Sequence, residues 1–205
     1  MNLMNRFEAK NNKLQLLYNN PVLKKKMSDK IISFIPDMRK DCIIVCIGTD
    51  RSTGDALGPL IGSYLLEKNL KTFTVYGTLP DPVHAVNLKD YLTQIEKQHD
   101  NPFIIAVDAS LGKTAKVGSV ILDKGPLLPG AAVNKDLPPV GDIHITGVVN
   151  KLGFMEYSIL QNTRLSTVVE IAKKTADILH LVDELLSVRE ALPETAMAAT
   201  KKTLQ

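Results

Sequence analysis

Residues 42–68 read CIIVCIGTDRSTGDALGPLIGSYLLEK, and this stretch decides the fold. Its first part is apolar up to Gly48, which is typical of a strand that is buried on both faces of a parallel sheet. A polar loop follows, and from Leu57 onward the apolar residues recur at helical spacing. The stretch therefore predicts a strand–loop–helix unit with one carboxylate, Asp55, at the end of its loop.

The rest of the chain continues this alternation of strands and helices. We predict strands at residues 71–78, 102–110 and 117–124, and helices at 84–99 and 164–188. Between them we expect a Pro- and Gly-rich loop at 125–141, a short helix that begins near His144, and a short strand at 157–161. This order predicts a three-layer α/β/α domain with a mostly parallel, twisted sheet.

The chain length of 205 residues suits one substantial domain. We expect residues 1–40 to form a polar segment that packs on the domain, residues 41–190 to form a single α/β domain, and residues 191–205 to form a flexible tail. Within the first segment, residues 29–38 indicate the end of a helix that Pro36 stops.

Composition argues against several classes of function. The formal net charge of +3 is too small to indicate nucleic-acid binding, and no apolar run reaches the roughly 18 residues that span a membrane. The start of the chain lacks the apolar core of a signal peptide. Cys42 and Cys46 are predicted about 13 Å apart on one strand, too far for a disulfide. We therefore expect a soluble, intracellular protein with reduced cysteines.

Two carboxylates follow predicted strands at their carboxyl ends. Asp55 lies in the loop after the first predicted strand, which ends near Gly48. Asp108 lies at the end of the apolar part of the strand predicted at residues 102–110. Ligands of open α/β sheets bind beyond these strand ends, so neighbouring strands would bring both acids into one crevice. Each acid alone could equally be a helix cap or a turn residue. Five further residues are expected to line the rim of this crevice: Thr49, Asp50, Arg51, Thr78 and His84.

His144 follows the long loop and could complete a small metal site with the two aspartates. Two carboxylates and one imidazole suit Zn²⁺, Ni²⁺ or Mn²⁺. Alternatively, the two aspartates alone could share a proton and act as acid and base on water. A nucleotide-binding loop is excluded, because no lysine follows Gly54 and Cys46 occupies the first glycine position of the dinucleotide motif.

These motifs resemble known peptidase families. Residues 52–59, STGDALGP, and residues 107–110, VDAS, resemble the spore germination protease family, whose members share T-x-D-x-L-G-P and a later D-A after an apolar strand. The arrangement is also similar to the hydrogenase-maturation endopeptidases, which have a later histidine as well. Residues 40–190 most resemble the YyaC-type family of sporulation proteases.

The resemblance implies a phosphorylase/hydrolase-like fold and an endopeptidase of sporulating cells that hydrolyses a protein substrate. By position, Asp55 and Asp108 become the catalytic pair, and His144 becomes the third metal ligand. The implied location is the cytoplasm of the mother cell or forespore, with a homodimer as an expected assembly and no nucleic-acid or membrane partner. Two alternatives stay open, a catalytically inactive binding or scaffold protein and a small-molecule hydrolase of the same fold.

Overall fold

The computed structural model describes residues 12–36, 41–129 and 137–191 of the chain. The predicted flexible tail lies outside the described residues from Leu192 onward, and so does the middle of the predicted loop at 125–141. Among the described helices, none combines the length and apolar character needed to cross a membrane.

Six strands form one mixed sheet in the spatial order β1-β5-β6-β4-β2-β3. Strands β3, β2, β4 and β6 run parallel to one another, whereas β5 is antiparallel to both β6 and β1. The mostly parallel sheet is therefore confirmed, with an antiparallel margin on one side. The strands are β1 (Leu14–Leu17), β2 (Cys42–Cys46), β3 (Phe73–Tyr76), β4 (Phe103–Gly112), β5 (Ser119–Lys124) and β6 (Ile143–Lys151).

Within the described residues from 14 onward, five α-helices accompany the sheet, and they pack on both of its faces. Side chains of α1, α2 and α5 share one core cluster with one face of the strands, and α3 covers the other face. This arrangement confirms the predicted α/β/α layers. The helices are α1 (Leu23–Phe34), α2 (Leu57–Leu66), α3 (Leu88–Gln98), α4 (Glu156–Gln161) and α5 (Leu165–Ala191). A short 3-10 helix spans Thr114–Lys116.

Strand β2 is buried at every position, as its apolar sequence predicts. Ile44 and Cys46 face the cluster under α1, α2 and α5, and Ile43 and Val45 face the cluster under α3. Cys42 and Cys46 form no disulfide, and burial raises the pKa of the Cys46 thiol. Cys46 is therefore an inert core residue.

Two predicted elements after residue 140 are wrong. Residues 143–151 form strand β6 instead of a helix, because Ile143, Ile145 and Gly147 alternate with more polar neighbours and pair with β4. Residues 156–161 form helix α4 instead of a strand. The apolar run there is too short for periodicity to distinguish a strand from a helix.

Residues 14–35 belong to the same fold as the rest of the described chain. Strand β1 extends the sheet through its pairing with β5, and α1 buries Leu23, Met27 and Ile31 in the core. The Ser28 hydroxyl donates a hydrogen bond to the backbone carbonyl of Ile178 in α5, at 3.3 Å. The predicted helix end before Pro36 is found after Phe34.

Candidate active site

The loop that carries Asp55 folds back onto the end of strand β2. At Gly48 the backbone has φ +149°, and a Cβ there would lie 2.0 Å from the Asp55 carbonyl oxygen. The Thr49 N–H donates to the same oxygen at 3.1 Å, and the Gly48 N–H donates to the Val83 carbonyl at 2.8 Å. Glycine is required at position 48 because any side chain would push the Asp55 backbone away.

Helix α2 begins directly after Asp55 and lies against β2. A Cβ at Gly58 would lie 2.1 Å from the Ile47 carbonyl oxygen, so the helix axis could not come this close with a larger residue. The Ala56 N–H donates to the Ser52 carbonyl at 2.9 Å and closes the turn that leads into the helix. Gly48 and Gly58 therefore shape this unit by allowing close backbone contacts.

Asp108 lies in the middle of β4, at the point where the neighbouring β2 ends. The last aligned pair of β2 and β4 is Cys46 and Val107, while β4 continues beside β6 as far as Gly112. The prediction that the strand ends at Asp108 is wrong, because pairing with β6 extends it. Asp108 nevertheless sits at the carboxyl end of β2, where the Asp55 loop begins.

The two carboxyl groups are close enough to influence each other. Burial raises the pKa of Asp108 from 3.8 to about 8, and the negative charge of Asp55 contributes to this rise, although the Ala109 N–H, which donates at 2.7 Å, opposes it. Burial also raises the pKa of Asp55, and the Ser52 hydroxyl beside it opposes part of that rise. Asp108 is therefore mostly protonated at neutral pH, next to a second acid.

Ser52 is a candidate site residue that the sequence analysis missed. Its side chain is 3% exposed, and its Oγ makes no hydrogen bond of ordinary geometry to any described residue. A buried hydroxyl without a partner is uncommon in folded proteins. The S-x-x-D spacing from Ser52 to Asp55, which is a known helix-start pattern, was the signal that could have identified it.

The predicted rim residues lie in the loops after β2 and β3. The Thr49 Oγ1 accepts a hydrogen bond from the Arg51 N–H at 3.3 Å, and the Asp50 and Arg51 side chains are exposed. Buried Thr78 accepts from the Asp81 N–H through its Oγ1, at 3.2 Å.

His84 is half-buried, and its Nδ1 accepts a hydrogen bond from the Val86 N–H at 3.3 Å. The loop that holds His84 is attached to the end of β2 by the isolated bridge between Ile47 and Val83. His84 therefore lies in the loop next to the one that carries Asp55.

His144 does not join the acid pair. It lies on β6 opposite Ala106, whereas Asp108 lies opposite Thr146, two residues or about 7 Å further along the strand. The His144 Nδ1 lies 2.9 Å from the Gly125 carbonyl oxygen. In the part of the chain that the structure describes, no three His, Cys, Asp or Glu side chains are placed to hold a metal. The predicted ligand set of Asp55, Asp108 and His144 is therefore not assembled.

Thr146 takes the place beside Asp108 that was expected for His144. The register pairs the two residues directly, so their side chains project from the same face of the sheet. The sequence analysis missed Thr146 because it interpreted residues 142–155 as helical. Strand alternation across residues 143–147 was the signal that could have revealed it.

Sequence comparison assigns a family to this architecture. Residues 15–178 match the family described as a protein of unknown function, DUF1256. The chain belongs to this family. It is also 60% identical over 144 residues to the uncharacterized protein YyaC of Bacillus subtilis, a match that covers 70% of each chain.

Among solved structures, the chain is similar to the NiFe hydrogenase maturation protease HycI from Thermococcus kodakarensis. The TM-score is 0.46 at 18% sequence identity, and the alignment covers 71% of this chain and 93% of the other.

Proposed function

We propose that this DUF1256 protein is an endopeptidase-like hydrolase in which Asp55 and Asp108 act on the peptide bond of a protein substrate. The observation that carries the proposal is the electrostatic coupling of two partly buried carboxyl groups where β2 ends. Raised pKa values from burial and a like-charged neighbour are typical of catalytic acids. The resemblance of residues 52–59 and 107–110 to germination proteases supports the same class of reaction.

The pair supplies the two proton transfers that hydrolysis needs. Ionised Asp55 takes a proton from a water molecule, whose oxygen attacks the carbonyl carbon of the substrate, while protonated Asp108 donates its proton to the carbonyl oxygen. When the tetrahedral intermediate collapses, the C–N bond breaks, Asp55 returns a proton to the leaving amine, and Asp108 recovers its own. Both carboxyl groups regain their starting states.

No step of this proposal passes through a metal, because the described residues do not supply the predicted third ligand. Assistance by Zn²⁺, Ni²⁺ or Mn²⁺ stays a prediction. The acid pair alone predicts that a chelator leaves activity unchanged. Loss of activity on chelation, with recovery on addition of one of these ions, would indicate a metal enzyme.

The proposal also includes the cell type and compartment in which the reaction takes place. We infer a role in the cytoplasm of a sporulating cell, in the mother cell or forespore, because the motifs around Asp55 and Asp108 resemble those of sporulation proteases. The alternative is a binding or scaffold protein that retains the same crevice. The two differ in turnover, which the following experiment measures.

The test compares wild type with Asp55→Asn and Asp108→Asn on a peptide library derived from a bacterial proteome, with cleavage products identified by mass spectrometry. We expect the wild type to cleave a defined set of peptides and both variants to lose this cleavage. Asp29→Asn, at an exposed position of α1, serves as the control with retained activity. Cleavage that persists in both pair variants would overturn the proposal, and a wild type without turnover favours the binding alternative.

A further inference from the structure

An exposed apolar segment follows strand β6 directly. Leu152, Phe154 and Met155 leave 59%, 96% and 67% of their surface exposed. Single exposed apolar residues are ordinary on protein surfaces, but a run of them along one segment is typical of an interaction site. The exposure of Phe154 is the largest of any described large apolar residue.

Three lysines gather beside this segment, around Gly112 at the end of β4. Lys151 is paired with Gly112 in the sheet, Lys113 follows it in sequence, and a Cβ at Gly112 would lie 3.9 Å from the Lys116 Cβ. All three are exposed, and none forms an ion pair with another described residue. We call the surface formed by these residues the apolar–basic surface: Lys113, Lys116, Lys151, Leu152, Phe154 and Met155.

The apolar–basic surface is fixed relative to the acid pair at two points. Gly112 lies four residues beyond Asp108 on the same strand, which corresponds to about 13 Å. On the other side, the Gly54 N–H donates to the Leu160 carbonyl at 2.9 Å, and a Cβ at Gly54 would lie 2.8 Å from the Leu160 Cδ2. Helix α4, which follows the surface in sequence, is thus attached to the loop of Asp55.

We propose that the apolar–basic surface docks an acidic, amphipathic peptide segment of the protein substrate and presents the adjoining segment to Asp55 and Asp108. This inference rests on the proposed function for its last step only. Charge complementarity identifies the partner, because unpaired lysines beside apolar side chains attract a segment that carries both acidic and apolar residues. About four extended residues span the distance to Asp108.

Neither of the two terminal stretches that lie outside the described residues has the acidic character of such an occupant. Residues 1–11 contain two basic residues and one acidic residue, and residues 192–205 contain the same numbers. A second copy that docked through the same surface would place like charges opposite each other. A separate acidic polypeptide therefore fits best.

The test measures binding directly, so that it does not depend on cleavage. The probe is a fluorescently labelled peptide in which Glu alternates with Phe and Leu, and its matched control replaces every Glu with Gln. Fluorescence anisotropy with the full chain, as wild type and as Asp108→Asn, should give equal affinity for the acidic peptide, weaker binding of the Gln peptide, and weakening with added salt.

Paired substitutions then locate the binding site. The double variant Lys113→Glu/Lys151→Glu should bind roughly tenfold more weakly, whereas Lys89→Glu/Lys97→Glu, the same charge change on α3, should bind as wild type does. Phe154→Ser should weaken binding, and Leu66→Ser, at the far end of α2, should not.

Equal losses in both double variants, equal binding of the two peptides, or no binding of the acidic peptide would overturn the docking proposal. Binding of anionic phosphatidylserine vesicles in place of the peptide, through the same lysines, would overturn it in favour of a membrane surface. If peptide binding depends on the surface but no substrate is cleaved, docking stands and the peptidase proposal fails. If Lys113→Glu/Lys151→Glu leaves cleavage unaffected, the peptidase proposal stands and the docking proposal fails.

Discussion

Asp108 keeps its proton over a pH range in which an ordinary aspartate is ionised. Its pKa is raised from 3.8 to about 8 in the folded protein, mainly because burial disfavours the charged form. In this range the folded state binds more protons than the unfolded state, so the free energy of unfolding falls as pH rises. The fall is at most about 1.4 kcal/mol per pH unit, and it ends once pH has passed the folded pKa.

Asp108→Asn removes this pH dependence. The pH window runs from 3.8 to about 8, the ordinary and the raised pKa of Asp108. We expect the variant to match the wild type in stability at the acidic end of this window. Near its upper end the variant should be more stable, because asparagine needs no proton to stay neutral. Urea unfolding of both proteins at the two ends of the window measures the difference. A variant less stable than wild type at both ends would contradict the buried, protonated carboxyl.

Ser52→Ala tests the influence of the unpartnered hydroxyl on Asp55. Because the Ser52 hydroxyl lowers the pKa of Asp55, its removal should raise that pKa, which carboxyl-carbon NMR reports. The free energy of unfolding should change by less than about 1 kcal/mol, since no ordinary hydrogen bond is lost. Thr53→Ala is the matched control. An Asp55 pKa that stays the same in Ser52→Ala would remove Ser52 from the site.

At the scale of elements, the contact between α2 and β2 positions Asp55. Gly58→Ala would place a Cβ against the Ile47 backbone, which cannot move aside, so we expect a loss of roughly 1–3 kcal/mol in the free energy of unfolding. In Gly153→Ala the nearest atom is the flexible Ile159 Cδ1 at 3.0 Å, and this control should cost far less. Equal stabilities in thermal unfolding would refute the close packing.

Asp183 joins helix α5 to the start of β3. Its carboxylate accepts hydrogen bonds from the backbone N–H groups of Lys71, Thr72 and Phe73 at 2.8–2.9 Å and from the Thr72 hydroxyl at 2.8 Å. Burial raises the pKa of Asp183, but these hydrogen bonds outweigh burial and hold it below its usual value. Its contribution to stability is therefore present above pH 4 or so and is lost as pH falls through the folded pKa.

Asp183→Ala removes the acceptor of three backbone N–H groups, of which that of Phe73 is buried. We expect a loss of roughly 3 kcal/mol or more in the free energy of unfolding at neutral pH. Asp177→Ala, on the same helix, breaks only the partly exposed contact with Lys68 and should cost less than about 1 kcal/mol. Chemical denaturation of the two variants compares them, and similar losses would mean that Asp183 does not hold β3.

The elements differ in how well the sequence predicts them. Strand β2 and helix α5 are predicted because one is uniformly apolar and the other repeats its apolar face over many turns. Strand β6 was misassigned because its alternation covers only residues 143–147, before two consecutive apolar residues, and its stability depends on pairing with β4 and β5. That error kept Thr146 out of the predicted site, whereas His144 was placed in the site because it follows the loop at 125–141.

For the whole molecule, the acid pair results from a topological feature that local sequence patterns do not specify. Asp55 and Asp108 are far apart in sequence and meet only because β2 and β4 are neighbours in the sheet. The assumption of neighbouring strands was enough to predict the pair. The position of His144 relative to Asp108 depends on the parallel pairing of β6 with β4, which the sequence pattern did not reveal.

If Asp55 and Asp108 form one coupled acid pair, the pKa of Asp108 differs between wild type and Asp55→Asn. Carboxyl-carbon NMR titration of both proteins measures it, with Asp142→Asn as a control for an aspartate away from the pair. We predict a wild-type Asp108 pKa of about 8, which falls in Asp55→Asn because the neighbouring negative charge is gone. An Asp108 pKa near 3.8, or one that does not change in Asp55→Asn, would show that the two carboxyl groups do not form a coupled pair.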